Sequence, residues 1–101
     1  MELLFEWDQD KARRNSRKHK VSFDEAQSVC TDDYSITIPD HEHSHTEERL
    51  MIIGLSNKKR LLVVTYTERG KIIRLISARK ATPRERRTYE EEITSSDKNF
   101  R

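Results

Sequence analysis

The chain has 101 residues, 33% of them hydrophobic and 38% charged, with one cysteine. That length argues for one domain with a modest core, and a single thiol excludes an internal disulfide and points to a reducing cytosol. The net charge of +2 conceals a segregation: residues 1–56 carry 7 Lys/Arg against 12 Asp/Glu, and residues 57–89 carry 11 against 2.

ELLFEW (2–7) has the apolar and aromatic content of a first strand. Asp8 is suited to cap a helix, and DQDKARRNSRKH (8–19) follows with Ala12 almost its sole apolar residue, so the first helix is predicted to be exposed and basic. Ser22 and Glu25 have the spacing of a capping box, and Phe23, Ala26, Val29 and Cys30 share one face of a second helix that ends near Asp32 and Asp33. YSITIP (34–39) alternates as a short strand closed by Pro39, and DHEHSHTEE (40–48) is a polar loop. RLMIIGLS (49–56), RLLVVTYTE (60–68) and KIIRLISA (71–78) are three strands joined by SNKK and Arg69-Gly70, an antiparallel meander. Thr82, Pro83 and Glu85 open a last helix, TPRERRTYEEE, of about ten residues. The segment TSSDKNFR (94–101) is left as a flexible tail.

The order β-α-α-β-β-β-β-α predicts an α+β fold: a small antiparallel sheet, made of a three- to four-stranded meander plus the N-terminal strand, with two N-terminal helices and one C-terminal helix. It forms one domain over residues 1–93. No apolar run approaches the roughly 20 residues that span a bilayer and no signal peptide opens the chain, so a cytoplasmic protein without membrane contact is expected.

Strand 71–78 poses the chemical question. Strict alternation places Arg74 with Ile72, Ile76 and Ala78, and Arg79 on the opposite face with Ile73, Leu75 and Ser77. Arg74 either packs its stem and pairs with a carboxylate or presents its fork to a phosphate; either way it needs an anion. Glu48, between Glu47 and Arg49, is a candidate base for a ribose 2′-hydroxyl or else an ion-pair partner of Arg74 or Arg79. His19 ends a helix, where the dipole favours its charged form, and is a candidate acid or a simple cap. The basic run KARRNSRKHK (11–20), with six Lys/Arg and no acid, is either a solvated face or a phosphate contact. His41, His43 and His45 in HEHSH have spacing that permits a metal, but no cysteine pair accompanies them, and no metal or cofactor is assigned. Tyr66 and Tyr89 stack on bases or pack in the core. Two glycines rule out a phosphate-cradling glycine loop, and no Ser/His/Asp nucleophile signature is present.

FEWDQDKARRNSRKHKVSFDEA (5–26) and RLLVVTYTERGKIIRLISARKATPRERRTYEE (60–91), with TIPD and EERLMIIG between them, resemble the BrnT family of bacterial toxins over about residues 3–91. The resemblance implies a toxin of a type II toxin–antitoxin module, a fold similar to RelE-type ribonucleases, and RNA cleavage that stops translation. It implies a BrnA-type, ribbon-helix-helix antitoxin as partner, contact with operator DNA only through it, and a hetero-oligomeric complex that represses its own operon. Trp7, Lys18, His19, Arg49, Arg74, Ser77 and Arg79 match recurrent family positions. In a metal-independent endoribonuclease, Arg74, Arg79 and Arg49 are expected to stabilise the phosphorane, Glu48 to act as base and His19 as acid. Lys18, Ser77, Arg69, Tyr66 and Trp7 are expected to bind RNA. A non-catalytic nucleic-acid-binding or protein-interaction module is the alternative.

Overall fold

A computed structural model describes residues 3–43 and 47–99. Strand β1 (Leu4–Glu6) leads into helices α1 (Gln9–His19) and α2 (Phe23–Ser28). A 3-10 turn (Val29–Thr31) then leads to β2 (Ile36–Pro39) and a second 3-10 turn (His41–His43). Strands β3 (Leu50–Leu55), β4 (Leu61–Arg69) and β5 (Ile72–Lys80) follow, and α3 (Pro83–Asn99) closes the chain.

The five strands form one sheet in the order β1-β5-β4-β3-β2. β2 through β5 are antiparallel neighbours, but β1 lies parallel to β5, with Phe5 opposite Ile73 and Glu6 opposite Arg74. The sheet is therefore mixed, not antiparallel. The segment α1–α2 carries the chain to the far edge, and the strands then zigzag back until β5 arrives beside β1 running the same way. A second difference concerns residues 94–99: they continue α3 to Asn99 instead of forming an unpatterned tail. TSSDKN contains no Gly or Pro to stop a helix, and the Thr94 hydroxyl donates to the Glu90 carbonyl at 3.0 Å.

The two faces of the sheet are covered unequally. On one, α1 and α2 close a core of Val21, Phe23, Ala26, Val29, Ile52, Leu62, Val64, Tyr66, Leu75 and Ala78. On the other, α3 sets Tyr89 and Ile93 against Ile53, Leu61, Val63 and Met51 and leaves the rest of the face uncovered. Tyr89 also donates its hydroxyl to Asp32 at 2.6 Å, while Asp32 accepts from the Leu55 N–H at 2.8 Å, so one carboxylate ties α3 to β3. Gly54 lets this segment approach: a Cβ there would stand 2.9 Å from Val29 Cγ1.

Two buried polar groups hold the covered face. Asn15 of the basic helix α1 turns inward, donates to the Val21 and Ala78 carbonyls at 2.9 Å each, and accepts from the Ala78 N–H at 3.0 Å. Its amide thus continues the hydrogen bonding of β5 past the end of β1, where the strand edge would be bare. Glu25 accepts from Arg60 and from the Ser56 hydroxyl at 2.7 Å, and Arg60 also donates to the Lys20 carbonyl at 3.1 Å.

The β4–β5 ladder contains one irregularity. Thr65 lies opposite Ser77, but the next residue, Tyr66, lies opposite Leu75, so Ile76 is the extra residue of a β-bulge. Leu75 and Ala78 consequently share the helix-covered core although they are three apart. Arg74 opposite Thr67, Ser77 opposite Thr65 and Arg79 opposite Val63 share the other face. The alternation expected for 71–78 is overturned at this point: Arg74 and Arg79, five positions apart, stand on the same side because the bulge flips the pleat once between them.

Candidate functional site

The uncovered part of the second face forms a polar hollow of about 480 Å³, lined by Asp40, Glu42, His43, Arg49, Met51, Thr65, Ile76, Ser77 and Arg79. Its floor is sheet, contributed by Met51, Thr65 and the bulged Ile76-Ser77 step, and its rim is the second 3-10 turn. The turn is anchored to the sheet by the Asp40 N–H, which donates to the Arg49 carbonyl at 2.8 Å. A bulge beside a hollow is a recurrent way of re-aiming strand side chains.

Arg79 is held rigidly. Its two terminal nitrogens donate to the two Glu85 oxygens at 2.7 and 2.8 Å, and one also reaches the Lys80 carbonyl at 3.3 Å. Glu85 completes both halves of the capping box of α3: it accepts from the Thr82 N–H at 2.8 Å and gives its own N–H to the Thr82 hydroxyl at 3.2 Å. The Arg79 guanidinium, helped by the Thr82 contacts, pulls the Glu85 carboxyl down to about 2. Arg79 is held above its ordinary value by the same pair. The pair orients one guanidinium at the edge of the hollow.

Arg74 stands on the same face but does not line the hollow; it pairs with Glu6 across the parallel ladder, NH1 to Oε2 at 3.3 Å. Arg69, at the far end of β4, donates to Glu47 at 3.0 Å, which lowers the Glu47 pKa. Between these groups and the hollow lies Thr67, 1% exposed, opposite Arg74. Its Oγ1 is the one buried side-chain polar atom among the described residues without a hydrogen-bond partner.

Of the residues expected to act together, Arg49, Ser77 and Arg79 are gathered in the hollow, and Arg74 shares their face. The others are not brought there. Tyr66 is buried in the core beneath α1 and α2, where burial raises the pKa of its hydroxyl and keeps its ring from stacking on a base. Trp7 packs edge-on against Phe23, 5.9 Å between centroids, on the helix-covered side. Lys18 and His19 lie in the last turn of α1, and Glu48 is exposed just before Arg49; none lines the hollow. The positions of Lys18 and His19 follow from α1 packing through Ala12 and Asn15 against the other core.

Asp40, Glu42, His43 and Thr65 belong to the hollow without having been assigned to it from the sequence, where His43 entered only as one of three alternating histidines. Asp40, Glu42 and His43 bring one ligand atom each within 4.8 Å of one another, a donor set that could accept a divalent ion. His41 is in the same turn but outside this group, and His45 lies outside the described residues.

Residues 7–85 match the family described as the ribonuclease toxin, BrnT, of type II toxin–antitoxin systems. The chain belongs to the BrnT family. Its fold is similar to the crystal structure of the Brucella abortus ribonuclease toxin BrnT, with a TM-score of 0.63 and 24% sequence identity over 80% of this chain and 99% of that one. No curated protein matches it. As a BrnT-family chain it is a toxin-type ribonuclease whose module includes an antitoxin. Among its described residues no helix is long and apolar enough to cross a membrane.

Proposed function

We propose that this BrnT-family chain is a metal-independent endoribonuclease that cleaves RNA in the hollow over β3–β5 and thereby stops translation in the cytoplasm. It is neutralised by a BrnA-type ribbon-helix-helix antitoxin, and the complex represses its own operon through the antitoxin's contact with DNA. The reading includes the broader kinship of fold with RelE-type ribonucleases. One observation carries it: the bulge at Ile76 sets Arg79 and Ser77 on the face that Arg49 and Thr65 also line.

RNA cleavage of this type joins the 2′-oxygen to phosphorus as the bond to the 5′-oxygen breaks. Negative charge grows on the phosphate oxygens, and fixed guanidinium groups stabilise it without having to reorganise. Arg79, clamped by Glu85, and Arg49, at the start of β3, are the groups that would flank such a phosphate. Thr65 and Ser77 add short hydroxyl donors to the floor. Arg74 completes the positive field from one row away.

The test is incubation of the purified chain with a defined single-stranded RNA, with and without EDTA. Cleavage that persists in EDTA and yields 2′,3′-cyclic phosphate and 5′-hydroxyl ends is the expected result. Loss of cleavage in EDTA removes the metal-free mechanism. A second reading draws on the ion pairs: Arg69, Arg74 and Arg79 each already hold a carboxylate, as befits a surface that binds RNA or a protein without cutting. RNA retained intact by the chain would favour it.

A further inference from the structure

Of the residues expected from the sequence to act together, those gathered in the hollow, Arg49, Ser77 and Arg79, supply charge and a hydroxyl but no group suited to remove the 2′-proton, since Glu48 and His19 lie elsewhere. The rim offers one. His43 Nδ1 lies 3.1 and 3.2 Å from the two oxygens of Asp40. The two partners differ in exposure: the Asp40 side chain is 11% exposed and that of His43 is 58%. A mostly buried carboxylate therefore steadies an accessible imidazole, and both residues line the hollow that also holds Arg49 and Arg79. The Asp40 backbone is in turn fixed to β3 through the Arg49 carbonyl, so the turn is tied to the sheet that carries the arginines.

We infer that His43, oriented by Asp40, is the general base of the cleavage reaction, which rests on the reading of the hollow as an RNA-cleaving site. With Nδ1–H donating to Asp40, the other nitrogen, Nε2, carries the lone pair. It takes the proton of the ribose 2′-hydroxyl as the 2′-oxygen attacks phosphorus. The bond from phosphorus to the 5′-oxygen breaks, the leaving oxygen takes a proton from water, and the hydroxide so formed recovers the proton held on His43. The products are a 2′,3′-cyclic phosphate and a 5′-hydroxyl, and the base returns neutral. Asp40 touches no substrate; it is a positioning residue that fixes the tautomer and stabilises the imidazolium. Imidazole suits the task because its ordinary pKa lies nearest neutrality. The competing use of the same turn is a cation site made of Asp40, Glu42 and His43.

The experiment compares full-length wild type with His43→Gln, Asp40→Asn and, as a neighbouring control outside the hollow, His41→Gln. The substrate is a short single-stranded RNA across pH 5 to 9 with EDTA present; binding is measured with the 2′-O-methyl form of the same oligonucleotide. Expected for His43→Gln is a fall in kcat of about a hundredfold at unchanged affinity. Asp40→Asn should lower kcat while leaving affinity for the 2′-O-methyl oligonucleotide unchanged, and Asp40→Glu should restore part of the rate, a split and a rescue that a purely structural role does not produce. His41→Gln should match wild type. A His43→Gln protein that cleaves at the wild-type rate overturns the inference, and so does wild-type cleavage that fails in EDTA and returns with a divalent cation. If wild type leaves RNA intact under all these conditions, the RNA-cleavage reading itself falls and takes this inference with it; full activity in His43→Gln removes only the latter.

Discussion

Two helices of this molecule begin with the same signal, Ser22-x-x-Glu25 for α2 and Thr82-x-x-Glu85 for α3, and each glutamate holds an arginine from elsewhere in the chain. At α3 the capping box is complete, with both backbone N–H groups satisfied. At α2 only the Ser22 half is made; the Glu25 carboxylate leaves the helix and joins Arg60 and Ser56. The Glu25 side chain is 2% exposed and that of Glu85 is 22%. The first pair is a structural brace under the helix layer, where the carboxylate depends on its cation. The second is a partly wet clamp at the edge of the hollow, where the cation faces a site. One sequence motif thus serves cohesion in one place and orientation in another, and burial decides which.

Breaking the buried brace is expected to have the largest effect on stability. Arg60→Ala strands a buried carboxylate and should cost about 3 kcal/mol or more, a fall in Tm of about 12 °C. RNA cleavage measured well below the new Tm should be unchanged. A shift of only a degree or two would show that solvent already supports Glu25. Arg79→Ala, at the other clamp, should reach the chemistry as well: cleavage slowed about a hundredfold, near 3 kcal/mol in the barrier, in protein that thermal unfolding shows to be folded. Equal activity to wild type would separate the clamp from the chemistry.

The pH response sharpens the contrast further. Glu85 is held at about 2 when folded, against an ordinary value of 4.5, so the folded state resists protonation there. The stabilisation is complete above pH 4.5 and is lost as pH falls toward 2. Glu85→Gln should therefore be less stable than wild type at pH 6 by about 2 kcal/mol and nearly equal to it at pH 2, as read from urea midpoints. A difference that stays constant with pH would mean that the clamp is not electrostatic. The smallest effect is expected at Thr67, whose buried hydroxyl lacks a partner. Thr67→Val keeps the shape and removes the orphan, and should raise stability by about 1 kcal/mol. A stability equal to or below that of wild type would show that the hydroxyl is already satisfied in the folded protein.

The residues whose place in the fold the sequence did not reveal share a cause. Tyr66 and Trp7 are amphipathic side chains whose choice between stacking on a ligand and packing in a core is made by which face of the sheet they meet. Asn15 sits in a basic, apolar-poor stretch, and nothing local says that its amide will finish the edge of β5. Asp40 and Thr65 gain meaning only from their neighbours in the hollow. By contrast, Asp8 and Ser22 cap their helices as the spacing foretold, because a cap is satisfied within four residues of chain.

The sequence by itself determined what local interactions can specify: the caps, the alternation of β3 and β4, the basic character of residues 57–89 and the likeness to BrnT toxins. Tertiary structure alone decided the parallel pairing of β1 with β5 and the bulge at Ile76, hence the side of the sheet on which Arg74, Ser77 and Arg79 stand. A strand's side chains alternate at every residue, so a single unpaired position reverses everything beyond it. Whether that position exists depends on how β4 and β5 match along their length, a relation between two segments that neither segment carries alone.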